Sequence, residues 1–143
     1  MTRTKVDYGI DLGTTNSALA RIESGKPKIV KSDQSKDIVP SCVGFTKKES
    51  ILIGDHALTQ YRSDNSRAVK NKNLQPNSFI EFKRTMGTDK AYPSSHMEQD
   101  YNSEQLSAEV LKKLRSFITD DNFKSVVITV PAKFDIRQKD ATL

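Results

Sequence analysis

The sequence holds no tryptophan, one cysteine, two histidines, five prolines and six glycines in 143 residues. A lone Cys42 excludes a disulfide within the chain, so packing and hydrogen bonding must hold the fold, which suits a reducing compartment. His56 and His96 lie far apart, with neither a cysteine nor paired carboxylates at ligand spacing. That argues for surface histidines rather than a metal centre. No apolar run of about 18 residues is present, which excludes a membrane-spanning helix of that length. Met1 to Lys5 leads into a strand pattern without the apolar block of a secretory leader, so the cytoplasm is the expected location. Repeats and low-complexity tracts are missing as well.

What is present is charge. Lysine and arginine number 23 against 18 acids, a net charge of +5. The basic residues are interleaved with Asp and Glu, and the one local cluster, Arg67 to Lys72, has no aromatic residue within it. A solvated face explains this better than nucleic-acid binding. Apolar residues make up 35% of the chain, enough for one ordinary domain with a largely polar surface. Cys42, beside Pro40-Ser41 in a strand pattern with no histidine near, reads as a buried, inert thiol.

Val6 to Leu12 alternates apolar with polar or small residues, the period of a strand. Gly13-Thr14-Thr15-Asn16-Ser17 breaks the pattern, and Ala18, Ala20 and Ile22 resume it. The spacing predicts a hairpin with a hydroxyl-rich tip. Ser24 to Pro27 is a turn signal and Lys28 to Val30 a third strand. Ile38 to Phe45, interrupted by Pro40, reads as an edge strand or a strand start. A turn at 47–50 precedes Ile51 to Gly54, and a helix is expected over Asp55–Tyr61. Asn77 to Arg84 reads as a helix ending near Gly87 as its C-cap. Residues 88–102 are polar and weakly patterned.

The clearest helix is capped by Asn102 or Ser103, with Leu106, Val110, Leu111, Leu114, Phe117 and Ile118 on one face. Asp120 to Asn122 ends it. Ser125 to Val130 is a continuous β-branched run, expected as a strand covered on both faces and stopped by Pro131. Asp135 is placed to cap a further helix, which Leu143 cuts short of three turns. On that ground the chain is expected to be the N-terminal part of a longer protein.

The hairpin tip offers consecutive backbone N–H groups and short hydroxyls, a concavity suited to phosphate oxygens. Gly13 admits close backbone approach. Asp11 would repel phosphate but suits a hydrated Mg²⁺, which keeps its waters and takes one or two carboxylates. The Walker pattern GxxxxGK[ST] is absent. From these residues alone, a plain Gly-Thr-rich hairpin accounts for the stretch equally well.

The tip, YGIDLGTTNS, resembles the first phosphate-binding hairpin of the seventy-kilodalton heat-shock chaperones, the DnaK-like family. DIVPSCVGF, FIEFKRTMG, QLSAEVLKKLRSF and VVITVPAKF resemble that family's TPS strand, KRLIG or KRLLG segment, SAEVLKKL helix and ITVPAYF strand, in the same order. The resemblance runs from about Val6 to Thr142. The hairpin alone would also suit actin-like or sugar-kinase relatives. The asparagine after the threonines resembles the bacterial or organellar type.

The resemblance implies an α/β fold of the actin-like ATPase (ribonuclease H-like) type. Residues 1–37 and 104–143 would form the core subdomain of lobe I, and 38–103 an inserted α+β rim subdomain. It implies ATP or ADP as ligand, with Mg²⁺ and, as a further option, K⁺. Asp11 would lie near the Mg²⁺ and its waters. Gly13, Thr14, Thr15 and Asn16 would wrap the β- and γ-phosphates, with Thr14 orienting the γ-phosphate. Lys83 would reach the γ-phosphate and the attacking water, a role that suits a compact charge; from spacing alone, an exposed helix-end lysine fits better. Pro131 would belong to an interdomain relay together with Lys139, which aligns with a family arginine. Lys133 stands where the family has tyrosine. Lysine cannot copy arginine's bidentate fork, so coupling between domains would be altered.

The function implied is the N-terminal part of the ATP-binding and hydrolysing domain of a chaperone that couples hydrolysis to unfolded-peptide binding. A J-domain co-chaperone, a nucleotide-exchange factor and unfolded polypeptides would be its partners. The alternatives are a divergent relative that binds nucleotide without hydrolysis, and an actin-like filament protein. The resemblance implies that the family's catalytic glutamate, second aspartate, second phosphate loop and adenosine pocket would lie beyond Leu143. The chain alone is therefore expected to show no measurable ATPase and weak nucleotide binding.

Overall fold

The computed structural model describes residues 7–119 and 125–129. The fold is mixed α/β. In the first strand, β1 (Tyr8–Leu12), Tyr8, Ile10 and Leu12 face inward while Asp11 is exposed, the alternation that a half-buried strand requires. It pairs antiparallel with β2 (Asn16–Glu23), in register from Tyr8↔Arg21 to Leu12↔Ser17, and β2 pairs with β3 (Lys26–Ile29). The two-residue β4 (Val39–Pro40) joins the tip end of β2, opposite Asn16 and Ser17.

A second sheet follows, with β5 (Cys42–Phe45) between β6 (Ile51–Ile53) and β7 (Ser78–Ile80). All four residues of β5 are buried. Helix α1 (Asp55–Lys70) packs on this sheet and runs well past the expected Tyr61, through a polar stretch that shows little apolar periodicity.

Two expectations change here. Asn77 to Arg84 is not a helix. Ser78–Ile80 pairs with β5, Glu81 turns left-handed at φ 54°, and only Phe82–Thr85 winds, as a short 3₁₀ turn. Sheet pairing of Phe79 opposite Val43 overrides the local pattern. Gly87, at φ 78°, does follow the end of that turn, in the conformation a C-terminal glycine supplies. The weakly patterned stretch from 88 forms a hairpin, β8 (Tyr92–Ser94) with β9 (Gln99–Tyr101). It is held by Tyr92 edge-on to Phe79, centroids 5.5 Å apart, and Tyr101 stacked on Phe45 at 4.3 Å.

Helix α2 (Ser103–Arg115) starts at Asn102 through a reciprocal capping box: Asn102 Oδ1 accepts from Gln105 N at 2.8 Å, and Asn102 N donates to Gln105 Oε1 at 2.9 Å. Leu106, Val110 and Leu114 form its buried stripe. Phe117 and Ile118 lie beyond its last turn.

The final described strand, β10 (Val126–Thr129), lies parallel to β1, with Tyr8↔Val126 and Asp11↔Thr129. Contrary to expectation, it is not covered on both faces: Val127 is 48% exposed and Val126 is exposed too. A β-branched run fits any pleated surface, and burial depends on what covers it. The expected helix after Asp135, and Pro131, Lys133 and Lys139, lie outside the described residues.

One continuous core joins both sheets to α2: Tyr8, Ile10, Leu12 and Leu19 meet Val43, Phe45 and Phe79, with Leu106, Val110 and Leu114 over them. Each such side chain contributes about 1.5–3 kcal/mol on burial. Cys42, 1% exposed, sits beside this core with its thiol pushed up to about 12 by burial, as an inert thiol should be.

Candidate functional site

The β1–β2 tip is built by exclusion and then clamped. At Gly13 a Cβ would collide with the backbone oxygen of Asn16, so no other residue fits the turn as it stands. Ser41, just after β4, grips the tip from the side. Its Oγ donates to Gly13 O at 2.8 Å and lies 2.8 Å from Ser17 Oγ, while its N–H donates to Thr15 O at 2.9 Å. The carbonyls of Gly13 and Thr15 are thereby occupied. The backbone N–H groups and hydroxyls of Thr14 and Thr15 have no hydrogen-bond partner among the described residues. With two of its carbonyls held and its amides and hydroxyls unpaired, the loop suits an anion.

Lys83 rises from the 3₁₀ turn to the base of this hairpin. It is 2% exposed, and its Nζ donates to Leu12 O and, at 3.5 Å, to Thr129 O. It is thus a buried ammonium rather than an exposed helix-end lysine. Burial pulls its pKa below the usual 10.5, and the nearby Asp11 carboxylate opposes that pull. Asp11 is exposed at the end of β1, with Oδ1 accepting from Thr129 Oγ1 at 2.9 Å. Its second oxygen carries no hydrogen bond among the described residues, which fits a water-bridged cation held by a single carboxylate.

The structure thus brings Asp11, Gly13, Thr14, Thr15, Asn16 and Lys83 to one end of the first sheet. Two supporting residues were not singled out from the sequence. Ser41 stands in the quoted DIVPSCVGF stretch, a serine directly after a proline at an expected strand start. Thr129 is the one polar residue in the Val126–Thr129 strand, and the parallel register alone sets it beside Asp11. No cluster of three or more metal-ligating side chains occurs among the described residues, and no described helix is long and apolar enough to cross a membrane.

An α/β sheet whose hairpin tip presents free amides and hydroxyls above a buried lysine is a fold arranged to meet an oxyanion. The model of one family, described as Hsp70 protein, matches residues 7–143. The chain belongs to the Hsp70 family. It is 38% identical over 141 residues to "Chaperone protein DnaK" of Mesomycoplasma hyopneumoniae strain J, covering 96% of this chain and 21% of that protein. The proteins of the same name from Ureaplasma parvum and Mycoplasmopsis agalactiae are 37% and 34% identical, with the same coverage. The chain thus spans about a fifth of the length of these relatives.

Proposed function

We propose that this chain supplies one wall of the nucleotide site of a chaperone that couples ATP hydrolysis to the binding of unfolded polypeptides. The observation that carries this reading is the set of unpaired amides and hydroxyls of Thr14 and Thr15 above the buried Lys83 ammonium. Gly13, Thr14, Thr15 and Asn16 would bind the β- and γ-phosphates. Lys83, held on the carbonyls of Leu12 and Thr129, would set a positive charge against developing oxyanion charge without reorganising. Asp11 would hold a hydrated Mg²⁺, which neutralises phosphate charge when bound; K⁺ would be a further ion at the phosphates.

In this reading the fold is the first lobe of an actin-like ATPase, with residues 38–103 as an inserted rim. Pro131 and Lys139 would relay the nucleotide state to a peptide-binding domain. A J-domain co-chaperone and a nucleotide-exchange factor would act on the complete protein, in the cytoplasm. A single wall lacks the closure that excludes water, so the chain alone is expected to bind Mg²⁺–ATP weakly and to turn none over.

Calorimetric titration of the chain with Mg²⁺–ATP tests this. Weak binding that disappears in Thr14→Val and falls in Lys83→Met is the expected result; the methionine keeps the buried volume. Heats unchanged by both substitutions would place the nucleotide elsewhere and sink the reading.

A further inference from the structure

On α1, His56, Gln60, Asp64 and Arg67 recur every three or four residues and so lie along one face of the helix. That face floors an open cleft of about 500 Å³, walled by Lys47 of the turn after β5 and His96 of the β8–β9 turn. A second hollow of about 300 Å³ continues it towards Asn71 and Asn73. Lys47, Asp64, Arg67 and His96 line both, so the two form one groove. From His56 to Lys70 the helix rises about 20 Å, the span of about six extended residues.

The floor and the His96 wall are pinned. Gln60 Nε2 bridges Ser78 Oγ at 2.8 Å and Phe45 O at 3.1 Å, and His96 Nδ1 donates to Phe45 O at 2.7 Å. Asn77 Oδ1 accepts from Ser94 Oγ at 2.8 Å and from His96 N at 3.0 Å, tying the β8–β9 turn to the sheet. Such a groove keeps its shape without an occupant.

Its charge is not neutralised. The side chains of Lys47 and Arg67 make no ion pair or hydrogen bond with the described residues, and Asp64 is the one carboxylate among the lining residues. Carboxamides and hydroxyls make up most of the rest, with Leu52 and Leu74 the large apolar exceptions. Lys47 and Arg67 line both hollows and so flank their junction, while carboxamides continue the groove on either side, Gln60 in the first hollow and Asn71 and Asn73 in the second, which suits an extended chain better than a single small anion. We propose that this groove binds an extended acidic segment of a partner polypeptide. Its carboxylates would meet Lys47 and Arg67, and its backbone the carboxamides of Asn71 and Asn73. No groove residue belongs to the β1–β2 tip, so this proposal stands or falls apart from the nucleotide reading.

The test is fluorescence anisotropy of the full chain, without nucleotide, against a labelled Glu-rich peptide and its Gln counterpart. The Glu peptide should bind and the Gln peptide should not. Affinity should fall with added salt, and by about tenfold or more in Lys47→Glu and in Arg67→Glu. Both positions are exposed, so the variants should fold as the parent does, checked by circular dichroism. Equal binding of the two peptides, no binding of the Glu peptide, or binding unchanged in both variants would overturn the proposal. So would complete displacement by equimolar inorganic phosphate, which would mark a small-anion site. Concentration-dependent dimerisation lost in both variants would assign the groove to a second copy instead, and also overturn it.

Discussion

Ser107 sits on the inner side of α2, and its Oγ is the one fully buried side-chain oxygen or nitrogen without a hydrogen-bond partner among the described residues. A hydroxyl taken from water and left unpaired costs stability, and serine is a poorer helix former than alanine. Ser107→Ala should therefore raise the stability of the chain by about 1 kcal/mol, read as a higher midpoint in urea with an unchanged slope. A lower midpoint would mean that the hydroxyl has a partner in solution. Lys83 shows the opposite case, a buried polar group with carbonyl partners. Nothing in the spacing of FIEFKRTMG reveals that this lysine is interior. Its burial depends on carbonyls of Leu12 and Thr129, which only the assembled sheet brings within reach. Cys42 was legible because a small thiol in an apolar run has few other places to go.

At the scale of elements, local chemistry and long-range pairing divide what could be read. The β1–β2 hairpin and α2 carry their own signals: strict alternation on either side of a small-residue turn, and a capping pair ahead of an apolar stripe. The β7 strand and the β8–β9 hairpin do not, because their order comes from Val43, Phe45 and other partners distant in sequence. The candidate site divides the same way. The tip residues announce themselves, whereas the clamp by Ser41 on Gly13 O and Ser17 Oγ joins residues that no local pattern links. Ser41→Ala removes both side-chain bonds and leaves a half-buried carbonyl and a buried hydroxyl short of a partner. It should cost about 1–3 kcal/mol and weaken Mg²⁺–ATP binding in the same titration. An unchanged denaturation midpoint would show that the backbone bond from Ser41 to Thr15 holds the tip by itself.

At the scale of the whole molecule, two sheets share one core. Phe45 and Phe79 of the second sheet belong to the same buried cluster as Ile10 and Leu19 of the first. A proposed rim over 38–103 would thus be set apart in the chain yet continuous in its packing. Thermal unfolding should therefore be a single transition, with far-ultraviolet and tyrosine near-ultraviolet dichroism superimposing. Two resolved steps would mean that the rim melts as its own unit. The placement of Lys83 has a further consequence, in the order of events during folding. The lysine reaches across 71 residues to Leu12, and Thr129 across 118 to Asp11. Contacts of such span close late, because the entropy of a long loop is lost before the contact compensates it. A nascent chain that has emerged only as far as β7 carries every residue of the tip but neither of these supports. Competence to meet an anion would arrive in one late step, once the end of the first sheet is closed, rather than growing with the hairpin.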